Sequence, residues 1–183
     1  MLFLTWACYL ASQTIVKQNS IVELERLIDT REESLTSEQR TVVDKVTAAV
    51  DNNAGGFYFL DAPGGTGKTF TLNLILAKVR SQGKIALATA SSGIAATLLE
   101  GGRTCHSTFK LPLNFQANEA PVCGIAKRSH QADLIRETRL IVIDECSMLH
   151  KRAYEAIDRS LRDLRNQNVL FGGVTVLIAG DFR

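Results

Sequence analysis

Two rhythms run through the order of apolar and polar residues. Four short apolar runs, at 57–60, 84–89, 140–143 and 174–179, are bounded by turn residues and read as buried strands. Between them, apolar positions recur every three or four residues, which predicts helices. Val42, Val43, Val46 and Val50 form one stripe; Leu72, Ile75, Leu76 and Val79 form a second; Tyr154, Ile157, Leu161 and Leu164 form a third. Ile21, Leu24 and Ile28 share a face of an earlier helix, 131–137 reads as a modest helix, and a short one runs from 91–93 to near Leu99. Asn52-Asn53-Ala54-Gly55-Gly56 and Ser81-Gln82-Gly83 are stop signals. Residues 101–122, with Pro112 and Pro121, read as a long excursion.

Strands alternating with helices predict an α/β fold, a parallel sheet with helices on both faces. A length of 183 residues suits one such domain with an appendage. The charged stretch 29–34 reads as a linker, dividing a helical appendage at 1–34 from a nucleotide-binding domain at 35–183. The apolar start, 1–11, lacks a basic leader and a small-x-small cleavage site, and reads as a core-packing helix. No apolar run approaches the ~18 residues of a membrane span. No membrane partner is expected.

Hydrophobic residues make up 45% and charged residues 22%, which is ordinary for a globular α/β protein. A net charge of +2 neither demands nor excludes a nucleic-acid partner, so any basic surface is local. Cys8, Cys105, Cys123 and Cys146 are widely spaced, and His106, His130 and His150 add no metal-ligand spacing. Reduced thiols are expected, not a zinc site or a disulfide framework.

The chemistry begins at Ala62-Pro63-Gly64-Gly65-Thr66-Gly67-Lys68-Thr69, between a strand and a helix. That is the context of a phosphate-binding loop, although Ala62 stands where the strict pattern has glycine. Gly64, Gly65, Thr66 and Gly67 let backbone N–H groups curl around phosphate oxygens. Lys68 can reach the outer phosphates, and Thr69 can offer a hydroxyl to Mg²⁺. Downstream, the apolar run 140–143 ends in Asp144-Glu145. Asp144 can hold Mg²⁺ through water, and Glu145 can orient or deprotonate an attacking water.

Other positions carry two readings. Asp181, at the tip of the last strand, suits a γ-phosphate sensor or a turn cap. Gln39 closes a capping box with Thr36, and its amide can also read an adenine edge. Ser91, Ser92 and Gly93 suit a helix cap or a nucleic-acid phosphate site. Thr104, His106 and Phe109 suit a packed loop or a grip on single-stranded bases.

Six blocks in order resemble the Pif-like (petite integration frequency) DNA helicases of superfamily one, especially those of Helitron-type transposons. They are Leu-Thr-Ser-Glu-Gln at 35–39, the glycine loop at 62–69, Ala-Thr-Ala-Ser-Ser-Gly-Ile-Ala-Ala at 88–96 and Gly-Gly-Arg-Thr-Cys-His-Ser-Thr-Phe at 101–109. Ile-Asp-Glu-Cys-Ser-Met at 143–148 and Ala-Gly-Asp-Phe-Arg at 179–183 complete the set. The resemblance implies a RecA-like P-loop NTPase domain truncated after its fourth core strand. It implies that Gln39 contacts adenine, that Ser91, Ser92, Gly93 and the loop around Thr104 and His106 lie along single-stranded DNA, and that Asp181 couples the γ-phosphate to DNA movement. The implied activity is ATP-driven 5′-to-3′ unwinding with Mg²⁺, in DNA repair, recombination, telomere and genome maintenance or Helitron transposition. Residence in the nucleus or the mitochondrion follows from the resemblance alone.

The family pattern continues with a glutamine after Arg183 and a second RecA-like domain carrying the arginine finger. On that pattern this chain alone is expected to bind ATP–Mg²⁺, hydrolyse it poorly and leave one side of the glycine-loop strand as a sheet edge. A truncated nucleotide- and DNA-binding module without helicase activity is the alternative. An unrelated phosphate-loop kinase is disfavoured, because Asp144-Glu145 suits activation of water and no acceptor pocket is evident.

Overall fold

The computed structural model describes residues 21–114 and 120–181. Five strands, β1 (Gly56–Asp61), β2 (Ile85–Ala90), β3 (Arg103–Thr104), β4 (Thr138–Asp144) and β5 (Thr175–Gly180), form one sheet in the order β1-β5-β4-β2-β3. Every neighbouring pair is parallel. The helices are α1 (Ile21–Glu33), α2 (Ser37–Asp51), α3 (Lys68–Ser81), α4 (Gly93–Leu98), α5 (Cys105–Phe109), α6 (His130–Glu137) and α7 (Lys151–Arg165). The α/β class expected from the sequence is the observed one.

Side chains alternate across a strand, and here the alternation sorts the core into two layers. Ala86, Ala88, Leu140, Val142, Leu177 and Ala179 pack with Val43, Val46 and Val50 of α2 and with Leu72, Ile75, Leu76 and Val79 of α3. Leu87, Ile141, Ile143 and Val176 pack on the other face with Phe109, Leu134, Ile135, Ile157 and Leu161. β2 and β4 are thus apolar on both sides, as interior parallel strands must be.

The capping box is present at the start of α2. The Gln39 N–H donates to Thr36 Oγ1 at 3.2 Å, and the Thr36 N–H donates to Gln39 Oε1 at 3.1 Å. The linker expected over 29–34 is instead the last turn of α1 and the short connection after it. The reason lies in apolar burial and in charge pairing. Leu24, Leu27 and Ile28 join the α2–α3 layer, Lys78 pairs with Glu32 at 2.5 Å, and the Arg31 guanidinium lies 5.6 Å from the Phe70 ring centre. The excursion also holds more order than its turn residues suggested, since β3 and α5 lie within it. The reading of a helix at 1–11 lies outside the described residues.

β1 stands at the sheet edge, paired with β5 alone among the described residues. Tyr58 and Leu60 pack into the α2–α3 layer. Phe57 and Phe59, on the opposite side, are 44% and 46% exposed, with the Phe57 ring stacked on Phe171 at 5.3 Å. Among the described residues no helix is long and apolar enough to cross a membrane.

The packing predicts contrasting costs. Leu76→Ala empties a fully buried position and should remove about 2–5 kcal/mol in denaturant melts. Ile94→Ala, at a position 81% exposed, should change stability by no more than about 0.5 kcal/mol.

Candidate nucleotide site

β1 delivers the chain to the loop 62–67, and α3 begins at Lys68. The loop is tied to itself and to its neighbours. Thr66 Oγ1 donates to the Pro63 carbonyl at 2.8 Å, and Gln39 Nε2 donates to the Thr66 carbonyl at 3.0 Å. Gly67 is held at φ 84°, where a Cβ would fall 2.7 Å from Gln39 Nε2. Glycine is needed there both for its backbone freedom and for this close approach. Gly64, Gly65 and Thr66 are exposed, so their backbone is open to a ligand. Gln39 caps α2 and braces the loop at once. Both ends of its amide are engaged, and an adenine contact would compete with these bonds.

The parallel order β1-β5-β4 sets three strand tips side by side, just beyond which the glycine loop turns. The Ala62 N–H donates to the Gly180 carbonyl at 3.1 Å, fastening the loop to the end of β5, next to the half-buried Asp181. Asp144 is the last residue of β4, and Glu145 follows with φ 51° and ψ 46°. A glutamate in this left-handed region is held there by its surroundings, and such strain gathers at functional sites.

Lys68 Nζ lies 3.3 Å from Glu145 Oε1, closing the gap between motifs 77 residues apart. Thr69 sits beside Lys68 in the same first turn of α3. Asp144 is 2% exposed, and burial pushes its carboxyl above the ordinary range. The Glu145 N–H, 2.8 Å from Asp144 Oδ1, and the Lys68 charge oppose that shift, while the Glu145 charge adds to it.

Thr69 and Asp144 present hard oxygen donors of the kind Mg²⁺ takes. Among the described residues no cluster of three or more His, Cys, Asp or Glu side chains could hold a metal unaided. Two protein oxygens completed by ligand phosphates fit this donor set.

The remaining candidates lie along the same rim. β2 pairs with β3 through Thr89–Arg103 and Ala90–Thr104, which sets the Ser91-Ser92-Gly93 turn near Thr104 and His106. The Ser91 N–H donates to the Asp144 carbonyl at 3.1 Å. Ser92 caps α4 and Thr104 caps α5, each hydroxyl accepting a backbone N–H at 3.2 Å. Gly93 opens α4 in an exposed position, and His106 is half-buried in α5. Phe109 corrects the reading of a stacking ring: it is 1% exposed in the core of the α5–α7 layer, where no base can reach it. What sequence reasoning missed is the pair of contacts around Cys146. Tyr154 Oη donates to its carbonyl at 2.9 Å, and Gly180 lies against its thiol. No spacing signal marks residues 34 positions apart that meet only through the sheet.

A glycine loop between β1 and α3, facing an acidic pair at the tip of a nearby parallel strand, defines a RecA-like P-loop domain. The model of PIF1-like helicases matches residues 34–183, and the chain belongs to that family. It is 35% identical over 124 residues to the ATP-dependent DNA helicase Pif1 of Psychrobacter sp. (strain PRwf-1), covering 68% of this chain and 19% of that protein. The crystal structure of Pif1 helicase from Candida albicans superposes with a TM-score of 0.68 at 32% identity, over 81% of this chain and 32% of that one. The Bacteroides Pif1 helicase in complex with ADP-AlF3 and single-stranded DNA superposes with a TM-score of 0.66 at 29% identity, over 80% and 32%. The chain therefore spans about a fifth of the curated relative's length and a third of the solved ones.

A carboxyl raised on folding weakens the fold once pH climbs past the ordinary carboxylate range, reaching its full effect above the raised value. Asp144→Asn removes that penalty at neutral pH and keeps an oxygen for the Glu145 N–H. Without metal or nucleotide, its melting temperature at neutral pH should rise above that of the unmodified chain, and the difference should shrink as pH falls below the ordinary carboxylate range.

Proposed function

We propose that this chain is the ATP-binding motor domain of a DNA helicase that couples ATP hydrolysis to 5′-to-3′ movement along single-stranded DNA. The observation that carries the proposal is the 3.3 Å ion pair between Lys68 and Glu145, which joins the phosphate loop to the acidic strand tip. The curated relative named above is an ATP-dependent DNA helicase, and one of the solved Pif1 helicases holds both ADP-AlF3 and single-stranded DNA.

In this proposal the backbone of Gly64, Gly65, Thr66 and Gly67 cradles the phosphates, with the positive end of α3 behind them. Lys68 leaves Glu145 for the outer phosphate oxygens. Glu145, freed of its counter-charge, orients the attacking water and receives its proton. Thr69 and Asp144 would hold Mg²⁺, which supplies charge neutralisation on the phosphates when bound. Gln39 braces the loop beneath the adenine, and Asp181 reports the γ-phosphate. Ser91, Ser92, Gly93, Thr104 and His106 line the path of the DNA backbone.

Unwinding belongs to a complete helicase with a second RecA-like domain. Repair, recombination, telomere maintenance or Helitron transposition, in the nucleus or the mitochondrion, is the setting in which such a motor would act.

The test is a titration with ATP–Mg²⁺ and a turnover assay with and without single-stranded DNA. Lys68→Ala should abolish both binding and turnover. Glu145→Gln should lose turnover by more than about a hundredfold. It should also tighten binding by about threefold, because a partly exposed ion pair of ~0.2–1 kcal/mol no longer competes for Lys68. Loss of binding in Glu145→Gln would remove the role assigned to that carboxylate. Binding with no turnover in the unmodified chain would leave a nucleotide-binding module.

A further inference from the structure

Cys146 follows the acidic pair and sits against the tip of the adjacent strand. Its side chain is 3% exposed. An added Cβ on Gly180 would fall 2.7 Å from Cys146 Sγ, far inside any real contact distance. The Cys146 carbonyl accepts two bonds, from Tyr154 Oη at 2.9 Å and from the Leu149 N–H at 3.2 Å. Tyr154 belongs to α7, so the backbone of Cys146 is pinned from the helix side. From the sheet side its thiol abuts the bare Cα of Gly180. Gly180 is itself fixed by the Ala62 N–H on its carbonyl.

The residue held between these anchors and the end of β4 is Glu145, in the left-handed conformation. Two fixed points bound it: Asp144 Oδ1 receives its N–H at 2.8 Å, and Cys146 cannot retreat. We infer that Cys146 and Gly180 form a latch that keeps Glu145 in this conformation, making both of them positioning residues for the carboxylate. The inference rests on the function proposed above for Glu145. It also gives the phosphate loop a short mechanical route to that carboxylate. The route runs from Ala62 to the Gly180 carbonyl, then through Cys146 to Glu145.

The latch is a claim about non-additivity. A methyl group at 180 is harmful only while a thiol occupies the space it needs. The variants are Gly180→Ala, Cys146→Ala and the double substitution, each made in the full 183-residue chain and checked for a cooperative melt. Single-turnover ATP hydrolysis and Mg²⁺-dependent affinity for a fluorescent ADP analogue are measured on each. Gly180→Ala should slow hydrolysis by about tenfold or more, since small misplacements of reacting groups cost rates of that order. Its nucleotide affinity should stay within about threefold, because no phosphate ligand is removed. Cys146→Ala should slow hydrolysis by about threefold, and the double variant should match Cys146→Ala. A double variant as slow as Gly180→Ala, or a Gly180→Ala chain as fast as the unmodified one, would overturn the latch.

A second readout needs no hydrolysis. The threefold tightening of nucleotide binding expected from Glu145→Gln should vanish in a Gly180→Ala background, where Glu145 no longer faces Lys68. Persistence of that gain would also overturn the latch. Absence of turnover in the unmodified chain would count against the proposed reaction, and this binding difference would still decide the latch.

Discussion

The parallel pairing of β4 with β2 and β5 is the constraint on which the site depends. Registers Ala90–Asp144, Ile143–Ile178 and Asp61–Gly180 bring three separate stretches of chain to one rim. Strand side chains repeat every two residues, so a one-residue slip would turn the Leu140–Val142 face toward α7 and the Ile141–Ile143 face toward α3. Each set of side chains is buried in its own layer. The apolar core thereby fixes where Asp144 and Glu145 emerge, although neither carboxylate contributes to that core.

The rim runs against the stability of the rest. A nearly fully buried carboxylate, a left-handed glutamate and an exposed glycine loop each cost folding free energy. What offsets them is distributed: the Lys68 charge, the Glu145 N–H on Asp144, and the two bonds to the Cys146 carbonyl. Local rules of sequence and packing are obeyed through both layers and relaxed where phosphate chemistry is placed. That pattern is expected of a functional site.

Much of this was legible in the order of residues. The α3 stripe of Leu72, Ile75, Leu76 and Val79, the four longer strands and the glycine loop leave strong local signals, and Thr36-x-x-Gln39 announces its own capping box. The departures share a cause: tertiary contacts overruled a local composition. Charged residues at 29–34 looked like a linker because Arg31 and Glu32 were seen without their partners: the Phe70 ring, Lys78, and Arg40, which donates to the Glu32 carbonyl. Phe109 looked available to a base because a five-residue helix is too short to show which way its aromatic faces. The second bond of Gln39, to the phosphate loop, comes from a residue 27 positions away and has no signature in spacing.

The outer side of β1 has a consequence for association. β1 pairs with β5 alone among the described strands, and Phe57 and Phe59 beside that edge are each about half exposed. A parallel sheet ordinarily keeps both its faces and its margins covered. An extended segment laid along β1 would lengthen the sheet by one strand. Such a segment would continue the sheet beside the very strand that leads into the phosphate loop.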